Sequence, residues 1–216
     1  MKILLRALDR IVCSSANYWT AMFADLAAAL AFLALGRHWL IAQPMAGGVL
    51  IVAGFVVAGL LEYVLHRWVL HGPPSVARRG HVQHHDEPRA LVSAPLLMIA
   101  AIALVIWEAL SWTLSSGPAA LVVFGLYGRY NYFAIVHHVQ HRHGLPFARL
   151  PYFQRLERLH HLHHHRQVVN FGISTTLWDR VFGTYQPTSK PASNFARTRA
   201  VPLSRTGPGG GRTHAL

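Results

Sequence analysis

The chain has few charged residues and a single cysteine. Charged residues make up 13% of its 216 residues and hydrophobic residues 52%, whereas soluble domains carry roughly 25% charged residues. This composition argues against a soluble domain and indicates a protein that lies in a membrane. Cys13, the single cysteine, cannot form an internal disulfide. One thiolate is also too few for a cysteine-based zinc or iron–sulfur site.

Acidic residues are the scarcer of the two charged classes. There are 8 Asp and Glu residues against 20 Lys and Arg residues, which gives a formal net charge of +12. The basic residues do not alternate with aromatic residues along a stripe, and the long apolar runs between them argue against a nucleic-acid-binding surface. We therefore expect no nucleic-acid partner, and we attribute the positive charge to contact with anionic lipid at a membrane surface.

Four apolar segments follow one another along the chain, at residues 19–35, 45–65, 91–112 and 118–136. Each approaches the ~20 residues that a transmembrane helix needs. The alternative is a soluble bundle of buried helices, but four such segments in so short a chain leave too little polar sequence to cover them. The predicted fold class is therefore an all-α integral membrane protein with four transmembrane helices.

The two ends of the chain differ from the apolar part. Residues 1–18 mix charged and apolar residues, so we predict an N-terminal interfacial segment rather than a cleaved signal peptide. Residues 186–216 are rich in Pro, Gly, Ser, Thr and Arg, which is typical of a disordered basic tail. Residues 19–185 remain as one membrane domain.

The distribution of basic residues predicts the orientation of that domain. Lys and Arg are scarce in the connections 36–44 and 113–117, and they concentrate at both ends of the chain and in the connection 71–90. Connections on the cytoplasmic side of a membrane carry the excess of Lys and Arg. Both termini and residues 71–90 should therefore face the cytoplasm, at the inner membrane if the protein is bacterial.

Histidine is the residue that the chain has in excess. There are 16 histidines, and all except His38 and His214 fall into four clusters, within residues 66–71, 81–85, 137–143 and 160–165. The predicted orientation brings all four clusters to the cytoplasmic face. Neutral imidazole is the commonest protein ligand of transition metals. We therefore predict a cytoplasmic histidine-rich metal site.

The spacing within the clusters selects the candidate ligands. Two triplets have the spacing i, i+3, i+4, and one pair has the spacing i, i+4, so the members of each share one face of a helix. His66 and His71 are five residues apart, roughly 140° around a helix. They can meet only if the helix unwinds between them, and the Gly-Pro-Pro sequence at 72–74 would end it. The candidate ligands are His66, His71, His81, His84, His85, His137, His141, His160, His163 and His164.

Ten imidazoles are too many for one ion, so we expect two metal ions with five or six ligands each. The register of the last cluster stays open, because His161, His164 and His165 have the same spacing as the triplet that begins at His160. No carboxylate lies inside the motifs. We expect a further set of residues to accept hydrogen bonds from the ligands or to lie around them: Glu62, Asp86, His138, His161, His165 and Asn170. The alternatives are a buried helix-pairing role for Glu62 and a solvated loop position for Asp86.

These motifs resemble those of the membrane-bound fatty acid hydroxylase/sterol desaturase superfamily. The resemblance covers roughly residues 50–185. It rests on the four histidine motifs, on Glu62-Tyr63 before the first, and on two stretches after the last, Asn-Phe-Gly at 170–172 and Trp-Asp-Arg-Val-Phe-Gly-Thr at 178–184. It implies four spans around a cytoplasmic non-haem di-iron site, and it favours His160, His163 and His164 as the ligands of the last cluster.

An all-imidazole site by itself leaves Fe, Zn, Cu and Ni open. The resemblance implies two iron ions, O2 as co-substrate, and hydroxylation of a lipid C–H bond with electrons from a separate ferredoxin- or cytochrome b5-like protein. One alternative is a sterol, carotenoid or acyl-chain desaturase with the same site. Another is a membrane metal-binding or transport protein, which would need ligands spread along the depth of the membrane.

Overall fold

The computed structural model of the protein describes residues 8, 10–142 and 144–188, and in these residues every regular element is helical. The helices, with the turns between them, position the histidines. The elements are α1 (Ser15–Ala42), α2 (Pro44–Val64), a π-helical turn (Leu65–Leu70), α3 (Val76–Asp86), α4 (Met98–Leu114), α5 (Ser116–Arg142), a 3-10 turn (Pro146–Arg149), α6 (Pro151–His165) and α7 (Leu177–Val181).

Three of these helical stretches are long and apolar enough to cross a membrane: Ser15–Ala42, Pro44–Leu70 and Ser116–Arg142. The prediction of membrane-spanning helices is confirmed for these three. Helix α4 is apolar but has only 17 residues, roughly 25 Å at 1.5 Å per residue. The fourth span therefore remains an expectation.

Helix α4 begins later than predicted because residues 91–95 are held in a non-helical conformation. The side-chain amide of Asn17 donates to the Ser93 hydroxyl at 2.8 Å and to the Ala94 carbonyl at 2.9 Å, and its oxygen accepts the Leu96 N–H at 2.9 Å. Leu97 then has a φ of 63°, in the left-handed region. The start of α1 thus fixes the segment that leads into α4.

The structure describes only part of the two ends of the chain. Helix α1 begins at Ser15, inside the predicted interfacial segment, and the Ser14 hydroxyl caps it by accepting the Asn17 N–H at 3.4 Å. Residues 1–7 and 9 of that segment, and residues 189–216 of the predicted tail, lie outside the described residues. The domain boundaries therefore stay predictions.

Helix α5 is the centre of the bundle and packs against α1, α2 and α4. Phe32 of α1, Ala103 of α4, and Val123 and Tyr127 of α5 belong to one buried apolar cluster. Against α2, the backbones themselves come into contact. A Cβ atom at Gly54 would lie 2.2 Å from the Val122 carbonyl oxygen, and one at Gly125 would lie 2.1 Å from the Ile51 carbonyl oxygen. Small residues permit such approaches between membrane helices.

Residues 144–165 lead into the last histidine cluster. A 3-10 turn comes first, and α6 begins only at Pro151, which sits in its first turn where no N–H is needed. Leu156 and Leu159 are 2% exposed. The apolar stripe of α6 therefore packs into the protein rather than facing lipid.

The contact between Gly54 and Gly125 predicts a stability difference within one helix. Gly125→Ala places a methyl group against the α2 backbone and should lower the free energy of unfolding by about 1–3 kcal/mol, the usual cost of overpacking. Gly128→Ala is the matched control, because no atom lies within 4 Å of a Cβ at that position. Melting temperatures of the detergent-solubilised proteins, followed by fluorescence-detected size exclusion, compare the two. Equal melting temperatures would show that the helices separate without cost.

Candidate metal centre

The first histidine pair is brought together by a change in helix type. After Val64 the chain continues as a π-helical turn, Leu65–Leu70, and the His71 N–H donates to the His66 carbonyl at 3.1 Å. A bond from residue i+5 to residue i is the π-helical pattern, and it brings residues five apart onto the same side. The two ring centroids are 5.0 Å apart. The predicted end of the helix between His66 and His71 is therefore confirmed, because Leu70 is its last residue, although the helix first widens into a π-helical turn.

Helices α3 and α6 deliver the two triplets. Ser75 caps α3 by accepting the Arg78 N–H at 3.0 Å, and α3 then presents His81 and His84 on its buried face. On α6, His160 is 1% exposed and His163 0%. His137 and His141 come from the last two turns of α5. Four separate stretches of chain thus meet at one place.

The imidazoles form two adjoining groups. In the five-histidine group (His66, His71, His81, His85 and His163) and in the four-histidine group (His84, His137, His141 and His160), the potential ligand nitrogens lie within 4.8 Å of one another. His164 adjoins both groups. Its Nε2 is 3.1 Å from the Nε2 of His160, and its ring stacks on that of His85 with centroids 4.3 Å apart. All ten candidate ligands therefore lie together.

The protonation of two rings is fixed by their neighbours. The Nδ1 of His66 is 2.5 Å from the Phe171 carbonyl oxygen, and the Nδ1 of His163 is 2.8 Å from the Val169 carbonyl oxygen. A carbonyl oxygen only accepts hydrogen bonds, so both Nδ1 atoms carry the proton. In the neutral rings the Nε2 lone pairs then point into the group.

The short distances between Nε2 atoms in the five-histidine group are better explained by a shared cation than by hydrogen bonds among the rings. The Nε2 of His81 lies 3.1 Å from that of His66, 2.9 Å from that of His71 and 3.0 Å from that of His85. One Nε2 carries at most one proton in a neutral ring, so it cannot donate to three neighbours. Two nitrogens at about 2.1 Å from one metal ion, and at right angles, are about 3.0 Å apart. The spacing therefore fits a shared ion.

Burial keeps these imidazoles neutral. Burial, with a smaller contribution from the neighbouring His85, lowers the pKa of His71 to about 4 and that of His84 to about 4. Burial also lowers the pKa of His163 to about 3, although the hydrogen bond to Val169 opposes this. At neutral pH these rings keep the lone pairs that a metal ligand needs.

The carbonyls that hold His66 and His163 belong to one well-fixed segment. Asn170, between them, is 1% exposed and has a φ of 53°. Its side-chain amide donates to the Gln186 carbonyl at 3.0 Å, and its oxygen accepts the Gln186 N–H at 2.8 Å. The side chain of Asn170 thus ties two stretches of backbone together, next to the two carbonyls that bond to His66 and His163.

Asp179 anchors the same segment. Its carboxylate accepts the Phe171 N–H at 2.7 Å, the Gly172 N–H at 2.8 Å and the Thr184 hydroxyl at 2.8 Å. Burial raises the pKa of Asp179, and these three hydrogen bonds oppose the rise. The sequence argument gave Asp179 and Thr184 no role, although both lie in the 178–184 stretch that carried the resemblance. The position of an acidic residue inside that stretch was the feature of the sequence that could have indicated a role for Asp179.

The side chain of Glu62 bonds to a loop and to α5, and to no histidine among the described residues. Its carboxylate accepts the Ile173 N–H at 2.8 Å and the Ser174 N–H at 2.9 Å, and it pairs with Arg129 of α5 at 3.2 Å. Its Cα position on the His66 side of α2 suggested an imidazole partner, but the loop amides and Arg129 take both oxygens. The alternative reading, a buried partner between helices, describes Glu62.

The other residues expected around the ligands are spread out. Asp86 is exposed at the end of α3, where its charge opposes the lowering of the His85 pKa by burial. His138 points away from both groups and bonds to the Tyr18 hydroxyl at 2.8 Å. His161 pairs with Glu157 at 3.5 Å and touches the His141 ring, whereas His165 is exposed. Of the two registers, the one that begins at His160 lies inside the site.

The buried pair between Glu62 and Arg129 should be a strong determinant of stability. Glu62→Gln leaves a buried guanidinium without its counter-charge, and breaking such a pair costs about 3–5 kcal/mol. Glu108→Gln is the matched control, because that carboxylate is exposed on α4, and its effect should stay within about 0.5 kcal/mol. Thermal melting of the purified proteins measures both. An unchanged melting temperature for Glu62→Gln would mean that the pair contributes nothing.

Several known proteins are similar to this chain. The model of the family described as fatty acid hydroxylase matches residues 51–184. A dihydroceramide fatty acyl 2-hydroxylase of Arabidopsis thaliana is 34% identical over 148 residues, which are 63% of this chain and 60% of that protein. A beta-carotene hydroxylase of Paracoccus sp. is 33% identical over 132 residues, 56% of this chain and 75% of that protein.

A solved structure of full-length scs7p, in which only the hydroxylase domain is visible, has a similar fold. The TM-score is 0.63 at 24% sequence identity, over 81% of this chain and 69% of that one. The chain spans less than two thirds of the length of the Arabidopsis relative. Since the family model covers more than half of its residues, the chain belongs to the fatty acid hydroxylase family.

Proposed function

We propose that the protein is a membrane-bound lipid hydroxylase whose two histidine groups each hold a metal ion. The observation that carries the proposal is the convergence of ten imidazoles, with the Nε2 lone pairs of His66 and His163 directed inward by their Nδ1–H bonds. The ligands are the five-histidine group on one side, and the four-histidine group with His164 on the other. The register of the last motif is then His160, His163 and His164.

Iron is the metal that suits the family's chemistry, although imidazole ligands alone would accept several ions. Two bound iron ions would supply the activation of O2 that places one oxygen atom in a C–H bond, with electrons from outside. The residues of the protein would bind the metal ions and orient the ligands around them. The neutral histidines keep the ligand set intact, and the buried positions of His160 and His163 keep water away from it.

An apolar lipid is the substrate class that the surroundings favour. Helices α2 and α5 both lead to the site, so the acyl chain of a membrane lipid can approach it along these apolar helices. The named relatives act on fatty acyl chains of ceramides and on beta-carotene. We infer a fatty acyl or related lipid, and a separate ferredoxin- or cytochrome b5-like protein as electron donor. Desaturation of a sterol, carotenoid or acyl chain by the same centre is the alternative chemistry.

The proposed orientation has both termini and the site at the cytoplasmic face. It is supported by the positions of the histidines on α2 and α5, which are at the C-terminal end of each span, so the two helices run in the same direction. The same positions argue against a metal transporter, since ligands at one end of the bundle do not form a path across it. Metal uptake by vesicles that contain the protein would favour the transporter.

Metal content tests the site directly. Protein purified without a histidine tag should contain two metal ions per chain, and His160→Ala or His163→Ala should lose at least one because each removes a buried inward-facing ligand. His165→Ala is the matched control from the same helix and should keep both. Elemental analysis of folded protein gives the counts. Loss of metal in His165→Ala, with retention in His160→Ala, would establish the other register.

Lipid analysis tests the reaction. Cells that produce the protein with a suitable electron donor should accumulate a lipid that has gained one oxygen atom, and isotopically labelled O2 should supply that atom. His137→Ala/His141→Ala should abolish the product because two ligands of the four-histidine group are removed. A lipid that has instead lost two hydrogens would identify a desaturase. Unchanged lipids with metal-loaded protein would contradict the proposal.

A further inference from the structure

The backbone that holds His66 and His163 is itself held by one side chain. The carbonyl that accepts the proton of His66 belongs to the peptide unit between Phe171 and Gly172. The N–H of that same unit donates to Asp179. In a trans peptide the carbonyl and the N–H point in opposite directions. Fixing the N–H at the carboxylate therefore fixes the direction of the carbonyl at the imidazole.

The second histidine is held through the same residue by one more step. The carbonyl that accepts the proton of His163 belongs to the peptide unit between Val169 and Asn170, and its N–H donates to the Thr184 carbonyl at 2.9 Å. Thr184 in turn gives its hydroxyl to the Asp179 carboxylate and its N–H to the Asp179 carbonyl, both at 2.8 Å. Both peptide units are thus clamped between a histidine and Asp179, directly or through Thr184.

The surroundings leave Asp179 one conformation. It is 1% exposed, and a Cβ atom at residue 172 would lie 2.7 Å from its Oδ2, so the approach requires glycine there. Its two oxygens accept three hydrogen bonds, and only a carboxylate can accept at both oxygens without presenting a donor.

We propose that Asp179 is a positioning residue for the metal centre, which acts through two peptide units to hold His66 and His163 with Nδ1 protonated and Nε2 free. Both histidines belong to the five-histidine group, and the two carbonyls that Asp179 fixes bond to these two histidines. The effect of Asp179 is therefore selective for one of the two sites. The inference rests on the proposed function in requiring a metal ion in each group.

Metal release to a chelator tests this selectivity. The wild-type protein, loaded with two ions per chain, should release them in two phases, and His163→Ala identifies the phase of the five-histidine group. Asp179→Asn presents an amide N–H₂ where an acceptor is needed, so it should speed that phase by about 10–100-fold, the usual effect of losing a partner of a ligating histidine. The other phase should not change. Arg180→Gln, an exposed neighbour on α7, is the control and should release both ions as the wild type does.

A second pair of variants guards against simple unfolding. Thr184→Val removes the hydroxyl link to Asp179, and Thr184→Ser restores it. Thr184→Val should speed the same phase, and Thr184→Ser should return it to the wild-type rate. If Asp179→Asn does not fold, the Thr184 pair decides. Release rates that match the wild type, or that rise equally in both phases of folded protein, would overturn the inference.

The wild-type protein separates failure of this inference from failure of the proposed function. A wild-type protein that binds no metal would contradict the proposed function itself. A wild-type protein with two ions, together with an Asp179→Asn variant that releases them at wild-type rates, would contradict only the positioning role. The readout is metal release, so it does not depend on knowing the lipid or the electron donor.

Discussion

Helices α2 and α5 touch backbone to backbone at Gly54 and Gly125, and the histidine site depends on that contact. Each helix carries histidines at its C-terminal end, so the distance between the helices sets the distance between two of the four motifs. Interhelical distances are normally 8–10 Å and depend on the side chains at the contact. Glycine at both positions gives the short distance that lets rings from the two helices join one centre.

Two acidic residues, Glu62 and Asp179, bind the backbone behind the site. Glu62 and Asp179 between them accept four consecutive backbone N–H groups, those of residues 171–174. Glu62 is also the partner of Arg129, so one ion pair joins α2, α5 and the segment behind the site. A segment without regular secondary structure normally leaves its amides to water. Here two carboxylates accept the hydrogen bonds that water would otherwise accept, and carbonyls of the same segment face the imidazoles.

The apolar helices could be predicted from the length of the apolar segments, and the candidate histidine ligands from their spacing. The triplets on α3 and α6 share a helical face because i, i+3 and i+4 do so in any α-helix, and the register that lies inside the site was the preferred one. Sequence reasoning could not foresee the π-helical turn at His66, since the sequence pattern there also allows an unwound helix. It gave α4 too early a start, because the bonds from Asn17 that keep residues 91–95 extended join positions far apart in the chain.

The side chains of Glu62, Asn170 and His138 bond to partners that their positions in the sequence do not indicate. Each was assigned a histidine or metal role by its nearness in sequence to a histidine motif, but a polar side chain takes the partner that is nearest in space. For Glu62 this is the loop and Arg129, for Asn170 it is Gln186, and for His138 it is Tyr18. The tertiary contacts that decide such pairings span 16 to 120 residues along the chain, and no local pattern records them.

The two histidine groups differ in what lies behind them. Behind the five-histidine group lies the rigid 169–186 segment, which fixes His66 and His163 through backbone carbonyls. The four-histidine group instead continues into the apolar part of α5, where His137 stacks on Phe133 with ring centroids 5.8 Å apart. Each group also adjoins a different apolar helix, since His66 follows α2 directly and His137 and His141 lie on α5.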